Sequence, residues 1–119
     1  MDIFCKMMNG EIPSKTLYED EIVKVILDID PQGTGHSLII PKKHFVDLHD
    51  IELDTLTHIM KTAKTMINLL EEKLTPESVI LVQNNGKEEV VKHYHLHLIP
   101  KYDNDPKLEL DKVYEILTK

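Results

Sequence analysis

The clearest pattern in the chain is a helical stripe near its middle. Between about Ile51 and Lys73, apolar residues recur at intervals of three and four, which places them on one face of an α-helix. Asp50 is the expected N-cap, because a carboxylate can accept hydrogen bonds from the first backbone N–H groups of a helix, and Pro76 prevents the helix from continuing. The stripe consists of Leu53, Leu56, Ile59, Met60, Ala63, Met66, Ile67 and Leu70.

Shorter apolar segments, bounded by turn residues, predict β-strands. Turns rather than helical crossovers join most of them, so we expect an antiparallel sheet. A helical turn is expected near the N-terminus, and a short C-terminal helix should begin at Asp105-Pro106, because proline suits the first helical position. The predicted strands are Thr16–Tyr18, Ile22–Ile29, His36–Pro41, Ser78–Gln83 and Lys92–Pro100.

These elements define the expected fold class. It is α+β, with an antiparallel sheet of about five strands, one long helix and a short C-terminal helix. The length of 119 residues fits one domain that spans residues 1–119.

Composition excludes several classes of protein. The chain has 14 Lys+Arg, all of them lysine, against 21 Asp+Glu, and its formal net charge is −7. We therefore expect no nucleic-acid partner, because phosphate backbones need a basic face. No apolar run approaches the ~20 residues that span a bilayer, and no basic segment precedes an apolar one at the N-terminus, so we expect a cytoplasmic protein without membrane contact. The single cysteine, Cys5, excludes an internal disulfide.

Three of the seven histidines alternate along the last predicted strand: His93, His95 and His97. Alternate residues of a strand point to the same face, with neighbours roughly 6.5–7 Å apart, so the three imidazoles should form a row. A lone histidine in a protein is most often a hydrogen-bonded residue without a special role, and His49 and His58 fit that interpretation. A row of three indicates that an anion or a metal is handled there.

Two kinds of chemistry fit the row. Zn²⁺ binds neutral imidazole nitrogens, and two histidines two positions apart can share one ion whose remaining ligands come from elsewhere. Alternatively, one imidazole attacks phosphorus and forms a covalent phospho-histidine, which needs a partner that fixes its tautomer and donors around the phosphate oxygens. Histidine spacing alone does not decide between them.

The chain also resembles the histidine triad (HIT) family, and its Hint-like branch in particular, over nearly its whole length. The pattern His-φ-His-φ-His-φ-φ is matched by residues 93–99. Residues 35–44 are similar to the family block G-H-x-L-V-I-P-K-x-H, and residues 3–13 to its opening I-F-C-K and G-E-I-P segments. The D-I-x-P segment and the N-x-G turn correspond to residues 28–31 and 83–86.

The resemblance implies a HIT-like fold and a nucleotide hydrolase or transferase that acts at the α-phosphorus of purine nucleoside phosphoramidates or related nucleotidyl compounds. It also implies a homodimer with no catalytic metal or other cofactor. His95 would be the nucleophile, His97 and His36 would contact the phosphate and move protons, and His93 would support the row. The resemblance assigns nucleotide binding to Asp28 at the ribose, Asn84 at the phosphate-side loop, and Ile3, Phe4, Met7, Leu27 and Ile29 around the base.

One departure from the family pattern concerns the loop before the triad. This loop is shorter than in Hint-like proteins, Glu89 stands where they have glutamine, and Val90 cannot donate a hydrogen bond to a leaving group. A carboxylate there repels a phosphate dianion unless it turns outward or is neutralised. The alternative function is therefore a catalytically weak nucleotide-binding or scaffolding protein.

A second departure concerns zinc. Some bacterial relatives carry Cys-x-x-Cys near the N-terminus and complete a zinc site with two histidines, whereas this chain has Asp2 in place of the first cysteine. Structural zinc sites favour thiolate and imidazole over carboxylate, so we expect no metal. The ligands left for one are Cys5, His44 and His93, and a metal protein that uses the histidine row is the third hypothesis.

Overall fold

The computed structural model describes residues 2–86 and 92–119. Their five strands form one antiparallel sheet in the order β1-β2-β3-β5-β4, which confirms the predicted α+β class. The strands are β1 (Thr16–Glu19), β2 (Val23–Leu27), β3 (Ser37–Pro41), β4 (Ser78–Val82) and β5 (Leu96–Lys101). The helices in these residues are α1 (Ile3–Met8), α2 (Leu53–Leu74) and α3 (Leu110–Thr118).

The central strand, β3, separates two apolar cores. All five of its residues are buried, and successive side chains of a strand point to opposite faces. Ile39 therefore packs in the core beneath α2 and α3, whereas Leu38 and Ile40 pack with Phe4 and Met7 of α1 on the other face. The α1 face carries the candidate site.

The long helix begins later than predicted. It starts at Leu53, and Glu52 at its N-cap makes no side-chain capping bond. The prediction that Asp50 caps the helix is wrong, because its carboxylate accepts hydrogen bonds from the backbone N–H groups of Val46 and Asp47, both 3.0 Å away. A local turn therefore takes the acceptor that the helix would have used.

The C-terminal helix also begins later than predicted, at Leu110 instead of at Asp105-Pro106. The Asp105 carboxylate is engaged with Thr34, a residue from a distant loop, and accepts its backbone N–H at 3.1 Å. No helix of the described residues is long and apolar enough to cross a membrane. The single domain over residues 1–119 stays a prediction.

Two strands are shorter than the apolar pattern suggested. β5 begins at Leu96, so His93 and His95 precede the regular strand instead of lying within it. β2 ends at Leu27, and Ile29 beyond it is 79% exposed. Of the three histidines in the row, only His97 thus lies in the regular strand. The alternation of a strand therefore does not set the directions of the His93 and His95 side chains.

Candidate active site

A cleft of about 240 Å³ opens on the α1 face of the sheet. Its walls are mainly apolar with a few polar groups, a composition that suits a flat base attached to a polar sugar. Of the predicted site residues, those that line it are Ile3, Phe4, Met7, Leu27, Asp28, Ile29, His95 and His97. His36, His93 and Asn84 do not line this cleft.

Sequence reasoning missed part of the cleft wall. Pro13, Ser14 and Lys15 line it, as do Ile26 and Leu38 from the sheet. The G-E-I-P segment ends at Pro13, so this motif was the signal that could have extended the prediction to its two following residues. Ile26 and Leu38 follow from strand alternation, because both lie in the core on the α1 face.

The central histidine of the triad has a defined tautomer. The Nδ1 atom of His95 lies 2.8 Å from the backbone carbonyl oxygen of His93, and because a carbonyl only accepts, Nδ1 must carry a hydrogen. In the neutral imidazole the lone pair is then on Nε2. His95 is only 6% exposed, and its ring lies edge-on to Phe4 with centroids 4.9 Å apart, yet it lines the cleft.

His36 and His97 form a proton-ordered pair beside it. The backbone N–H of Gln32 donates to Nδ1 of His36 at 3.0 Å, so neutral His36 carries its hydrogen on Nε2. That nitrogen lies 2.9 Å from Nδ1 of His97, which must accept. Neutral His97 therefore carries its own hydrogen on Nε2, and its ring centroid lies 4.9 Å from that of His95.

Burial keeps this pair neutral at physiological pH. Desolvation, followed by the neighbouring His95 and His36, lowers the pKa of His97 to about 4, although the Asp28 carboxylate opposes the shift. Burial likewise lowers the pKa of His36 below its ordinary value despite the nearby Asp28. A neutral imidazole has one donor and one acceptor nitrogen, which is the state that the hydrogen bonds require.

Asp28 links the cleft to this pair. One oxygen of its carboxylate accepts the backbone N–H of Asp30 at 2.9 Å, and the other lies 3.5 Å from Nε2 of His36. Its own N–H donates to the His36 carbonyl at 2.9 Å. We call Asp28, His36 and His97 the relay cluster.

The comparison with protein families accords with this site. The model of the HIT domain matches residues 9–104. The chain belongs to the HIT family. This finding confirms the resemblance seen in the sequence, and with it the HIT-like fold.

Three HIT proteins illustrate the similarity. An uncharacterised HIT-like protein of Methanocaldococcus jannaschii is 43% identical over 107 residues, which cover 88% of this chain and 82% of the relative. An adenosine 5'-monophosphoramidase of Candida albicans is 46% identical over 107 residues, 85% of this chain and 70% of the relative. A crystal structure of a zinc-bound histidine triad family protein of Mycobacterium smegmatis has a TM-score of 0.88 at 31% identity, and the match covers 98% and 90% of the two chains.

The loop before the triad is described only in part. Asn84, which the HIT resemblance assigns to the phosphate side, is half-buried after β4, and its role stays a prediction. Its neighbour Asn85 accepts the backbone N–H of Leu48 at 3.0 Å. Glu89 and Val90, on which the expected weakening of catalysis depends, lie outside the described residues.

The first histidine of the triad belongs to a second cluster. His93 is fully buried, and its Nε2 lies 2.8 Å from the Pro41 carbonyl, so Nε2 carries the hydrogen and Nδ1 a lone pair. The Nδ1 atom of His93 lies 3.4 Å from Sγ of Cys5 and 3.4 Å from Oδ2 of Asp2. His44 presents its Nδ1 to the same two atoms at 3.4 and 3.2 Å. We call Asp2, Cys5, His44 and His93 the donor cluster, because each side chain offers a donor atom to a metal ion.

The donor cluster fits a divalent transition metal. Its four ligand atoms lie within 4.8 Å of one another, and Oδ2 of Asp2 is buried without accepting a hydrogen bond from the described residues. The Nδ1 lone pair of His93 and the Asp2 oxygen face each other unfavourably unless a proton, such as that of the Cys5 thiol, or a cation lies between them. Two imidazoles, a thiolate and a carboxylate suit Zn²⁺ or a similar ion, which here would hold α1 against His93.

The structure does not support a metal site made by the row itself. Among residues 2–86 and 92–119, the groups of close metal-ligating atoms are the donor cluster and the relay cluster. His93 belongs to the first, His97 to the second and His95 to neither. The third hypothesis from the sequence therefore has no geometric basis, because the three imidazoles do not share one centre.

Proposed function

We propose that this HIT protein is a nucleotide hydrolase or transferase that acts at the α-phosphorus of purine nucleoside phosphoramidates or related nucleotidyl compounds through a covalent nucleotidyl-histidine. The observation that carries the proposal is the fixed tautomer of His95, which presents a lone pair on Nε2 in a residue that lines the cleft. The phosphoramidase activity named for the Candida albicans relative supports the same substrate class.

In the first step, Nε2 of His95 attacks the α-phosphorus and the bond from phosphorus to the leaving nitrogen breaks. A substrate that binds with its nitrogen protonated releases a neutral amine, which departs with the electron pair of that bond. Neutral His97 carries a hydrogen on Nε2 and donates a hydrogen bond from it at the reacting phosphate, since its ring lies 4.9 Å from that of His95. His36 holds the opposite side of the His97 ring through its own Nε2 hydrogen.

The substituted His95 ring is cationic, because it then bears phosphorus on Nε2 and a hydrogen on Nδ1. The hydrogen bond from Nδ1 to the His93 carbonyl stabilises this charge. In the second step water attacks phosphorus, the bond to Nε2 breaks and the ring recovers its lone pair. The proton that the water loses passes to the amine released in the first step, and His97 keeps its Nε2 hydrogen throughout.

The cleft explains how a nucleotide would be held. Apolar side chains of α1, including Phe4 and Met7, enclose a flat base, while Asp28 accepts hydrogen bonds from the ribose hydroxyls. Ile29 is exposed enough to close over a bound base. The purine preference rests on the resemblance alone.

Replacement of His95 tests the proposal. We expect His95→Asn to lower kcat for adenosine 5'-monophosphoramidate by at least about 10³-fold, because the nucleophile is lost. His49→Asn is the matched control, since the His49 side chain is 82% exposed and does not line the cleft. Wild-type protein quenched in alkali during turnover should carry covalent adenylate, and His95→Asn should carry none. Near-wild-type turnover by His95→Asn would overturn the mechanism.

The alternative is a nucleotide-binding or scaffolding protein with weak catalysis. The shortened loop and Glu89 favour it, and its signature is micromolar binding of adenosine or guanosine monophosphate with negligible turnover. Single-turnover measurements with excess enzyme separate the two functions. A slow chemical step after tight binding supports the alternative, and rapid formation of the adduct supports the hydrolase.

We further propose a cytoplasmic homodimer. β4 is an edge strand of the sheet, and Ile80 and Leu81 on it are 43% and 40% exposed. An edge strand with exposed apolar residues can pair with a second copy of itself. Sedimentation at micromolar concentration tests this, and a stable monomer would contradict it.

A further inference from the structure

The loop before β3 is tied to the segment after β5 at one residue, Thr34. Thr34 is only 4% exposed. Its backbone N–H and its hydroxyl both donate to the carboxylate of Asp105, and its carbonyl accepts the hydroxyl of Tyr102 at 2.6 Å. All three polar groups of this buried residue are therefore satisfied by a segment about seventy positions further along the chain.

The protonation states of Asp105 and Tyr102 suit this contact with Thr34. Burial alone would raise the pKa of Asp105, but hydrogen bonds from Thr34 and from the N–H of Lys107 lower it, so the carboxylate stays ionised. Burial, followed by Asp105, raises the pKa of Tyr102 to about 12, so the hydroxyl keeps the hydrogen that it donates. We call Thr34, Tyr102 and Asp105 the Thr34 clamp.

The same loop determines which ring nitrogen of His36 carries the hydrogen. Gln32 donates its backbone N–H to Nδ1 of His36, and the His36 N–H donates to the Gly33 carbonyl at 3.0 Å. Gly33 lies against the carbonyl of Pro100 in β5, so closely that a Cβ at this position would overlap it. The loop is thus packed on β5 immediately beside the clamp.

We propose that the Thr34 clamp is a positioning device for the histidine pair. It fixes the loop so that the Gln32 N–H donates a hydrogen bond to Nδ1 of His36. The hydrogen of neutral His36 must then lie on Nε2, which faces His97. This inference deepens the proposed function, because it assigns the residues that maintain the proton order used at His97. Tyr102 and Asp105 do not line the cleft, so they act through His36 as positioning residues.

The physical consequence of losing the clamp is specific. If the loop shifts and the Gln32 N–H withdraws, His36 can place its hydrogen on either nitrogen. With the hydrogen on Nδ1, the Nε2 lone pair faces the Nδ1 lone pair of His97 across 2.9 Å. His97 then moves its hydrogen to Nδ1 or its ring turns, and in both cases the hydrogen-bond donor at the reacting phosphate is lost.

Four substitutions test the clamp at graded severity. Asp105→Asn replaces one of the two carboxylate oxygens, each of which accepts one hydrogen bond from Thr34, with an NH₂ group. Thr34→Val removes only the hydroxyl donor, and Thr34→Ser retains it. Tyr102→Phe removes a single hydrogen bond and is the mildest change, so it preserves the test if Asp105→Asn does not fold. Asp103→Asn is the matched control, since Asp103 is exposed two positions away.

Two readouts distinguish positioning from mere stabilisation. Long-range ¹H–¹⁵N spectra report the tautomer of His36 and His97 without any substrate, and we expect Nε2-H for both in wild type and a mixture in Asp105→Asn and Thr34→Val. We expect kcat for the phosphoramidate to fall about tenfold in these two variants with KM within about twofold, because a misplaced hydrogen-bond donor at the reacting phosphate impairs chemistry and not binding. Thr34→Ser should restore both readouts, and Tyr102→Phe should shift them in the same direction by less.

Unchanged His36 nitrogen shifts and unchanged kcat in folded Thr34→Val and Tyr102→Phe would overturn the clamp. A loss of thermal stability alone, with both readouts unaltered, would do the same, because it would show a structural role only. If wild-type protein turns over no phosphoramidate, the proposed function fails, and the tautomer spectra still judge the clamp independently.

Discussion

The relay cluster and the donor cluster use similar residues in opposite ways. Each combines imidazoles with a carboxylate. In the relay cluster a donor meets an acceptor at every short contact, from the Gln32 N–H through His36 to His97. In the donor cluster the lone pair of His93 faces a carboxylate oxygen and a sulfur instead.

Hydrogen-bond direction, and not residue type, therefore separates the ordered pair of imidazoles from the cation-binding group. An ordered chain of donors and acceptors needs no further charge. A set of converging acceptors needs a cation or an additional proton. His93 connects the clusters, because its side chain belongs to one and its carbonyl fixes the tautomer of His95 beside the other.

Loss of the His97 hydrogen-bond donor should have the largest effect on this comparison. We expect His97→Leu to lower kcat for the phosphoramidate by about 10²–10³-fold, because leucine has no N–H to donate at the reacting phosphate. Metal content should be unchanged. His44→Gln is the reciprocal variant, with weaker metal binding and little change in kcat. Steady-state kinetics and atomic absorption on the same preparations check both, and equal effects of the two variants on kcat would remove the distinction between the clusters.

Loss of the carboxylate from the donor cluster should have the next largest effect. We expect wild-type protein to bind one equivalent of Co²⁺ with a sulfur-to-metal charge-transfer band, and Cys5→Ser to lose that band. Asp2→Asn should weaken binding at least about tenfold, because a charged ligand is replaced by a neutral one. Asp54→Asn, an exposed aspartate in α2, should bind as wild type does. Absence of Co²⁺ binding by wild-type protein, or equal affinity in Asp2→Asn, would contradict the assignment.

The pH dependence of stability should show a smaller effect in metal-free protein. The folded pKa of His97 is about 4, against an ordinary value of 6.5, and the pKa values of His36 and His93 are also lowered, chiefly by burial. Between pH 6.5 and 4 the unfolded chain therefore binds more protons, so stability falls as the pH drops through this window. Urea unfolding in a chelating buffer measures it. In His97→Gln the free energy of unfolding should fall less steeply with decreasing pH than in wild type, and the exposed-site variant His49→Gln should match wild type. If His97→Gln leaves this slope unaltered, burial of neutral His97 is not its cause.

Local patterns predicted most of the cleft. Ile3, Phe4 and Met7 lie on one short helix, and the segment from Leu27 to Ile29 follows one strand, so a motif in the sequence already places neighbouring residues together. The clusters were less accessible, because their contacts join distant positions. Cys5 and His93 are 88 positions apart, and no local pattern relates them.

The errors at helix ends have a related cause. A carboxylate beside a helix start is an available acceptor, and the sequence does not show which donor will reach it first. Asp50 is used by the turn before α2, and Asp105 by Thr34, which is 71 positions away. The expectation that no metal binds stays a prediction; it treated Asp2 as a replaced cysteine, before the geometry that brings its carboxylate beside two imidazoles was known.

Periodicity and motifs depend on neighbouring residues, so the amino-acid order alone was enough to predict the strand and helix segments, the histidine row and the family. Which nitrogen of each imidazole carries the hydrogen became visible only in the folded chain. That choice depends on whether a carbonyl or an N–H faces the ring, and the group that faces His93 comes from Pro41, far along the chain.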